Sequence, residues 1–137
     1  MVALTPGLVA ACTIGSALFA GSDGPVGLRL ETAVTAPQRE RGLMERAQLG
    51  PRSGMIFVFA APQTVYFWMK NTPLALDMLF LGPRGTILGV HAKAQPEDRT
   101  IIASPGGTQY VVEIAGGTAA SLGLMSNVAL TDWRCAK

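Results

Sequence analysis

The sequence predicts a mainly β fold: a single compact β-sandwich or barrel-like domain of jelly-roll type with one or two short helices. Three observations carry this reading. Short apolar stretches recur along the chain between turn residues, and 16 glycines and 9 prolines in 137 residues supply the turns. Val26-Gly27-Leu28-Arg29-Leu30-Glu31 alternates apolar with polar residues, the period of a half-buried strand. The candidate strands also follow one another closely, which favours a sandwich or barrel over a parallel α/β sheet.

The expected division is an N-terminal leader or tether over 1–25, one β-rich domain over 26–133, and a tail over 134–137. Met1 to Ser22 carries no charged side chain, and Asp23 is the first. An apolar run over 7–20, then small residues before Gly21-Ser22-Asp23-Gly24-Pro25, has the form of an export signal. Three alternatives stand beside cleaved export. Val9-Ala10-Ala11-Cys12 fits lipoprotein processing, with Cys12 lipidated. An uncleaved segment could instead anchor in a bilayer, or be the disordered or locally packed N-terminus of a cytosolic protein. The expected location is therefore exported, periplasmic or envelope-associated, with membrane contact only through the leader or lipid anchor. A Cys12–Cys135 bridge requires that Cys12 be retained.

Within the body, Thr35-Ala36-Pro37-Gln38 is a helix start, with Thr35 as N-cap and Gln38 placed for a capping box. The helix is expected over 37–44. Strands follow over 55–59, 64–69, 76–81, 86–91 and 110–114. Thr118 caps a helical turn over 119–122, and a last strand runs over 128–133. Charge is sparse: 11 Lys+Arg against 9 Asp+Glu leave +2, and 15% charged residues fall below the usual quarter or so. That balance argues against a nucleic-acid partner. CxxC pairs and Cys/His zinc spacings are absent from the sequence, so neither a metal nor a cofactor is expected.

Five blocks occur in order: Arg41-Gly42-Leu43-Met44, 54–59, Trp68-Met69-Lys70-Asn71-Thr72, 76–80 and 110–117. Together they resemble the bacterial and archaeal family called domain of unknown function 192, over about residues 27–130. Glu45, Ala75 and Ser126-Asn127 depart from its pattern. The resemblance implies a compact, mainly β, sandwich-like fold in small proteins that often carry an export signal, and no established activity.

Candidate chemistry lies in the few charges set among apolar residues. Trp68, Lys70, Asn71 and Asp77 could bind a small polar or anionic ligand, such as an envelope glycan. Lys70 would hold an anion, Trp68 would stack and Asn71 would orient. A structural alternative is a core Trp68, a turn at Asn71-Thr72-Pro73 and a Lys70–Asp77 ion pair. Arg41 and Glu113 form a second pair: Glu113 shares a strand face with Val111, so it faces solvent or a half-polar pocket with a cationic partner. Two other function classes remain open. One is a hydrolase using Asp77 or Glu113 as paired carboxylates, which requires both in one cleft. The other is Cu(I) binding by Met44, Met55, Met69, Met78 or Met125 with Trp68 and His91 nearby, against core packing of the same methionines. No nucleophile elbow, phosphate loop or dinucleotide fingerprint is present in the sequence.

Overall fold

The computed structural model describes residues 4–136. It is mainly β, and most of its strands form one mixed sheet of seven in the order β6-β5-β8-β3-β2-β1-β9. These strands are β1 (Ile14–Gly21), β2 (Gly24–Ala33), β3 (Ser53–Gln63), β5 (Leu76–Leu81), β6 (Ile87–Ala94), β8 (Thr108–Ala115) and β9 (Leu130–Cys135). A two-stranded ribbon of β4 (Tyr66–Phe67) and β7 (Ile102–Ala103) stands apart. Three short helices complete the chain: α1 (Pro6–Ala10), α2 (Ala36–Arg41) and α3 (Thr118–Leu122). None of the described helices is long and apolar enough to cross a membrane.

The N-terminal segment is part of this sheet, which corrects the expected boundary at residue 26. β1 pairs antiparallel with β2 from Ile14–Glu31 to Gly21–Gly24, and with β9 on its other side. Its Gly15, Ala17 and Phe19 face inward while Ser16, Leu18 and Ala20 face out. Residues 14–21 of the charge-free stretch thus form a strand of alternating burial built largely from small residues. Gly15 is required there, because a Cβ would collide with the Trp133 ring lying across it. Cys12 is joined to Cys135 by a disulfide, so its sulfur is not free to carry a lipid. Cleavage before Asp23 would remove both β1 and that bridge.

Strands β3, β5 and β8 form the middle of the sheet and are buried on both faces. Their alternation sorts side chains into two cores. Ile56, Val58, Leu79, Leu81, Tyr110, Val112 and Ile114 meet the inward residues of β1, β2 and β9 in the inner core. Met55, Phe57, Met78, Phe80 and Val111 form the outer core with Leu43, Val65 and Met69. The sheet curls around the inner core until its edges approach: Thr86 bridges Ala129, and Ile87 N–H donates to Val128 O at 2.8 Å. The barrel does not close. Two neutral groups, Tyr110 Oη and Trp133 Nε1, are buried without hydrogen-bond partners.

The parallel step from β2 to β3 carries the crossover that covers the outer face. Its helix α2 opens with the expected capping box: Gln38 N–H donates to Thr35 Oγ1 (3.3 Å) and Thr35 N–H to Gln38 Oε1 (3.1 Å). The helix stops at Arg41, short of the expected 44, because Gly42 turns the chain at φ +47°. A Cβ at Gly42 would come within 3.0 Å of the Phe57 ring, so glycine lets this corner settle onto the outer core. The strand expected over 64–69 is paired only at Tyr66–Phe67, and the chain then leaves the ribbon across the same face.

Candidate functional site

Between α2, the ribbon and the outer face of β3, β5 and β8 lies a cavity of about 530 Å³. Its walls are aromatic and apolar. Phe57 and Phe59 project from β3 on alternate positions, and Tyr66, Phe67 and Trp68 come from β4 and the residues after it. Phe67 meets Phe57 edge-on with ring centroids 5.0 Å apart and Phe59 at 6.4 Å, so these rings brace one another. Leu43, Met69 and Leu76 close the deep end.

Cations stand around this cavity, each held by something else. Arg39 Cζ lies 5.0 Å from the Phe59 ring centroid, and its Nη1 donates to Val34 O and Val58 O. Arg41 pairs with Glu45 one helical turn on, at 3.6 Å, with both side chains exposed. Lys70 Nζ lies 5.2 Å from the Trp68 ring centroid. Glu40 supplies a negative charge on the same helix.

On the floor, facing this aromatic and cationic surround, is Glu113. It sits on β8 between Met55 of β3 and Met78 of β5, its direct neighbours across the ladder. It is only 4% exposed. Among the described residues no side chain or backbone group hydrogen-bonds its carboxylate, and no cation pairs with it. Burial in these surroundings pushes its pKa up to about 8, so near neutral pH the carboxyl is mostly protonated.

Four of the residues singled out from sequence therefore line one cavity: Arg41, Trp68, Lys70 and Glu113. Two do not. Asn71 is an exposed turn residue at φ +54°, whose carbonyl accepts a hydrogen bond from Glu45 N–H. Asp77 is fully buried on the inner face, where Lys93 N–H (2.9 Å) and Gly117 N–H (3.0 Å) donate to Oδ1 and Ala119 N–H (2.8 Å) to Oδ2. It holds the start of α3, whose N-cap is Gly117; the expected cap, Thr118, is the first residue of the helix. The expected Lys70–Asp77 ion pair is absent among the described salt bridges.

The paired-carboxylate hydrolase is also corrected. Asp77 lies opposite Ile114, an inner-core residue, whereas Glu113 lies opposite Met78 in the outer core, so the two carboxylates face opposite sides of the sheet. Of the methionines of the copper reading, Met55, Met69 and Met78 are buried in the outer core, Met44 lines the cavity half-buried, and Met125 and His91 are exposed. Among the described residues no three His, Cys, Asp or Glu side chains cluster to hold a metal ion.

Sequence reasoning missed Arg39 and the aromatic lining. The alternation of Phe57 with Phe59 and the run Tyr66-Phe67-Trp68 were visible signals. That they enclose one space follows only from the crossover laid over the sheet.

Comparison with known proteins adds family and fold. The DUF192 family, described as Uncharacterized ACR, matches residues 19–131. No curated protein matches the chain. A proposed transcription regulator from Sinorhizobium meliloti 1021, solved at 1.55 Å, is 38% identical with a TM-score of 0.80, covering 88% of this chain and 92% of that one. A protein of unknown function from Novosphingobium aromaticivorans DSM 12444 is 33% identical with a TM-score of 0.83, covering 98% of this chain and 93% of that one.

Proposed function

The chain belongs to the DUF192 family, and we propose that this member is a binding module for a small polar ligand carrying an anionic group. The supporting observation is the aromatic cavity with Arg39, Arg41 and Lys70 around its walls and Glu113, unpartnered, at its base. Its volume of about 530 Å³ falls within the roughly 300–1,000 Å³ typical of small-molecule sites. Aromatic faces suit sugar rings or acyl stems, and the exposed ends of Arg41 and Lys70 suit a carboxylate or phosphate. Tyr66 and Trp68, at 68% and 41% exposure, leave apolar area at the opening that a ligand would cover.

We also propose that the protein works in an oxidising compartment outside the cytoplasm, the envelope or periplasm of a bacterium. The Cys12–Cys135 disulfide favours this, since cytosolic thiols are kept reduced.

Thermal-shift measurement against a panel of monocarboxylates, uronic acids, sugar phosphates and envelope-type oligosaccharides tests the binding proposal. At least one anionic compound should raise the melting temperature of the wild type by several degrees at saturation. Lys70→Ala should lose most of that shift while melting close to the wild type without ligand. No shift from any anion, or equal shifts in both proteins, would count against the site.

A further inference from the structure

We infer that the ligand is zwitterionic: its ammonium group seats against the Glu113 carboxylate on the cavity floor while its anionic group is held at the opening by Lys70 and Arg41. This rests on the cavity being the binding site and names the class of ligand it takes.

The argument starts from what each charge already touches. A carboxyl group withdrawn from water is costly unless something pairs with it. Among the described residues nothing does this for Glu113. From β3 it faces Met55 and Phe57, and from β5 Met78 and Leu76, none of which titrates. From α2 come Arg39, Glu40 and Arg41, from β4 the phenol of Tyr66, and from the segment after it Lys70. Each cation has other engagements: Arg39 with two carbonyls and Phe59, Arg41 with Glu45, Lys70 with Trp68. The cavity is therefore polarised, with a lone carboxyl inside and positive charge around it.

A simple anion satisfies only the outer half. Held by Lys70 and Arg41, it leaves Glu113 as it was, and pushed inward it meets a second acid. A simple amine satisfies only the inner half and must pass three cations to reach it. A molecule with an ammonium at one end and a carboxylate or phosphate at the other complements both. The rings of Phe57, Phe67 and Trp68 then offer their faces to the methylenes beside the ammonium.

The proton balance follows. Near neutral pH the free Glu113 carboxyl keeps its proton. Pairing with an ammonium favours the carboxylate, so the O–H bond of Glu113 breaks, the proton passes to solvent, and an N–H···O⁻ contact forms. Affinity should rise with pH until about 8 and then level off. An anion accepting a hydrogen bond from neutral Glu113 gives the opposite slope.

Calorimetric titration with 6-aminohexanoate, hexanoate and hexylamine, in two buffers of different ionisation enthalpy near pH 7, tests this. 4-Aminobutanoate and 5-aminopentanoate cover shorter spans between the charges. The inference expects one of the three amino acids to bind about tenfold or more tighter than either single-charge probe. It also expects most of one proton to be released per ligand, falling to none in Glu113→Gln. Lys70→Ala with Arg41→Ala should erase the advantage over hexylamine. Hexanoate binding as tightly as every amino acid, with no proton release, overturns the inference and leaves the anion-binding proposal standing. No binding by any amino acid, while other anions shift the melting temperature, likewise overturns only the inference. Silence of the whole anion panel and of all three amino acids removes both.

Discussion

Asp77 and Glu113 are two buried carboxylates on adjacent strands, one ladder position apart, and the fold treats them in opposite ways. Asp77 faces the inner core at 0% exposure and accepts hydrogen bonds from backbone N–H groups of Lys93, Gly117 and Ala119. Glu113 faces the outer cavity at 4% exposure and accepts none. A carboxylate surrounded by backbone donors is a part of the scaffold, tying β6 and α3 to β5. One left without donors beside a cavity is a place where the fold has stopped short, and a ligand can finish it. Both are buried carboxyl groups on neighbouring strands, and the hydrogen-bond partners make the distinction.

Removing Asp77 should have the largest effect. Asp77→Ala leaves buried backbone N–H groups unpartnered and should cost roughly 4–6 kcal/mol in urea unfolding, with α3 losing its amide-exchange protection. Should Asp77→Ala unfold like the wild type, the structural half of the comparison is broken. Next comes the bridge beside the inner core. Reducing Cys12–Cys135 frees a sequence separation of 123 residues and should cost about 3–5 kcal/mol, read as a lower urea midpoint in the presence of reductant. An unchanged midpoint would mean that β1 and β9 hold the N-terminal segment without it.

Glu113→Gln should have the smallest effect at mildly acidic pH, within about 1 kcal/mol, because it replaces a mostly neutral group with another. Its sign changes with pH. The folded pKa lies above the ordinary 4.5, so the native state holds a proton that the unfolded chain releases. Wild-type stability should therefore fall as pH rises from about 4.5 to about 8, by up to about 1.4 kcal/mol per pH unit, and level beyond. Glu113→Gln removes that loss, so it should be the more stable protein at alkaline pH. Parallel stability curves for the two proteins would place the Glu113 carboxyl in water.

Legibility in the sequence followed the range of the interactions. The capping box at Thr35 and Gln38 is local, and it forms as read. The apolar run of β5 is found over Leu76–Leu81, and β8 extends the expected 110–114 by a few residues at its ends. Arg41, Trp68, Lys70 and Glu113 stood out as polar or aromatic residues within otherwise apolar blocks, and the outer cavity collects them. Asp77 stood out by the same rule, yet its donors lie 16 to 42 positions away in backbone that carries no side-chain signature. The strand β1 was hidden for a different reason. Its glycines, serine and alanines follow no alternation of size or polarity with Ile14, Leu18 and Phe19, and without charges to mark an outer face the stretch has the hydropathy of an export signal. On one side it forms a hairpin with β2, and on the other its partner β9 is the last strand of the chain, the most distant strand pairing in the sheet.

The most direct test of Glu113 as a buried, unpartnered acid is its own titration. Carbon-13 chemical shifts of the glutamate side-chain carboxyls, assigned by the resonance lost in Glu113→Gln, follow its proton from acid to alkaline pH. The account predicts a midpoint near 8, moving downward when a bound ammonium compound pairs with the carboxylate. A midpoint in the ordinary glutamate range near 4.5, unmoved by any amine, would show a solvated carboxylate and contradict the reading of this cavity.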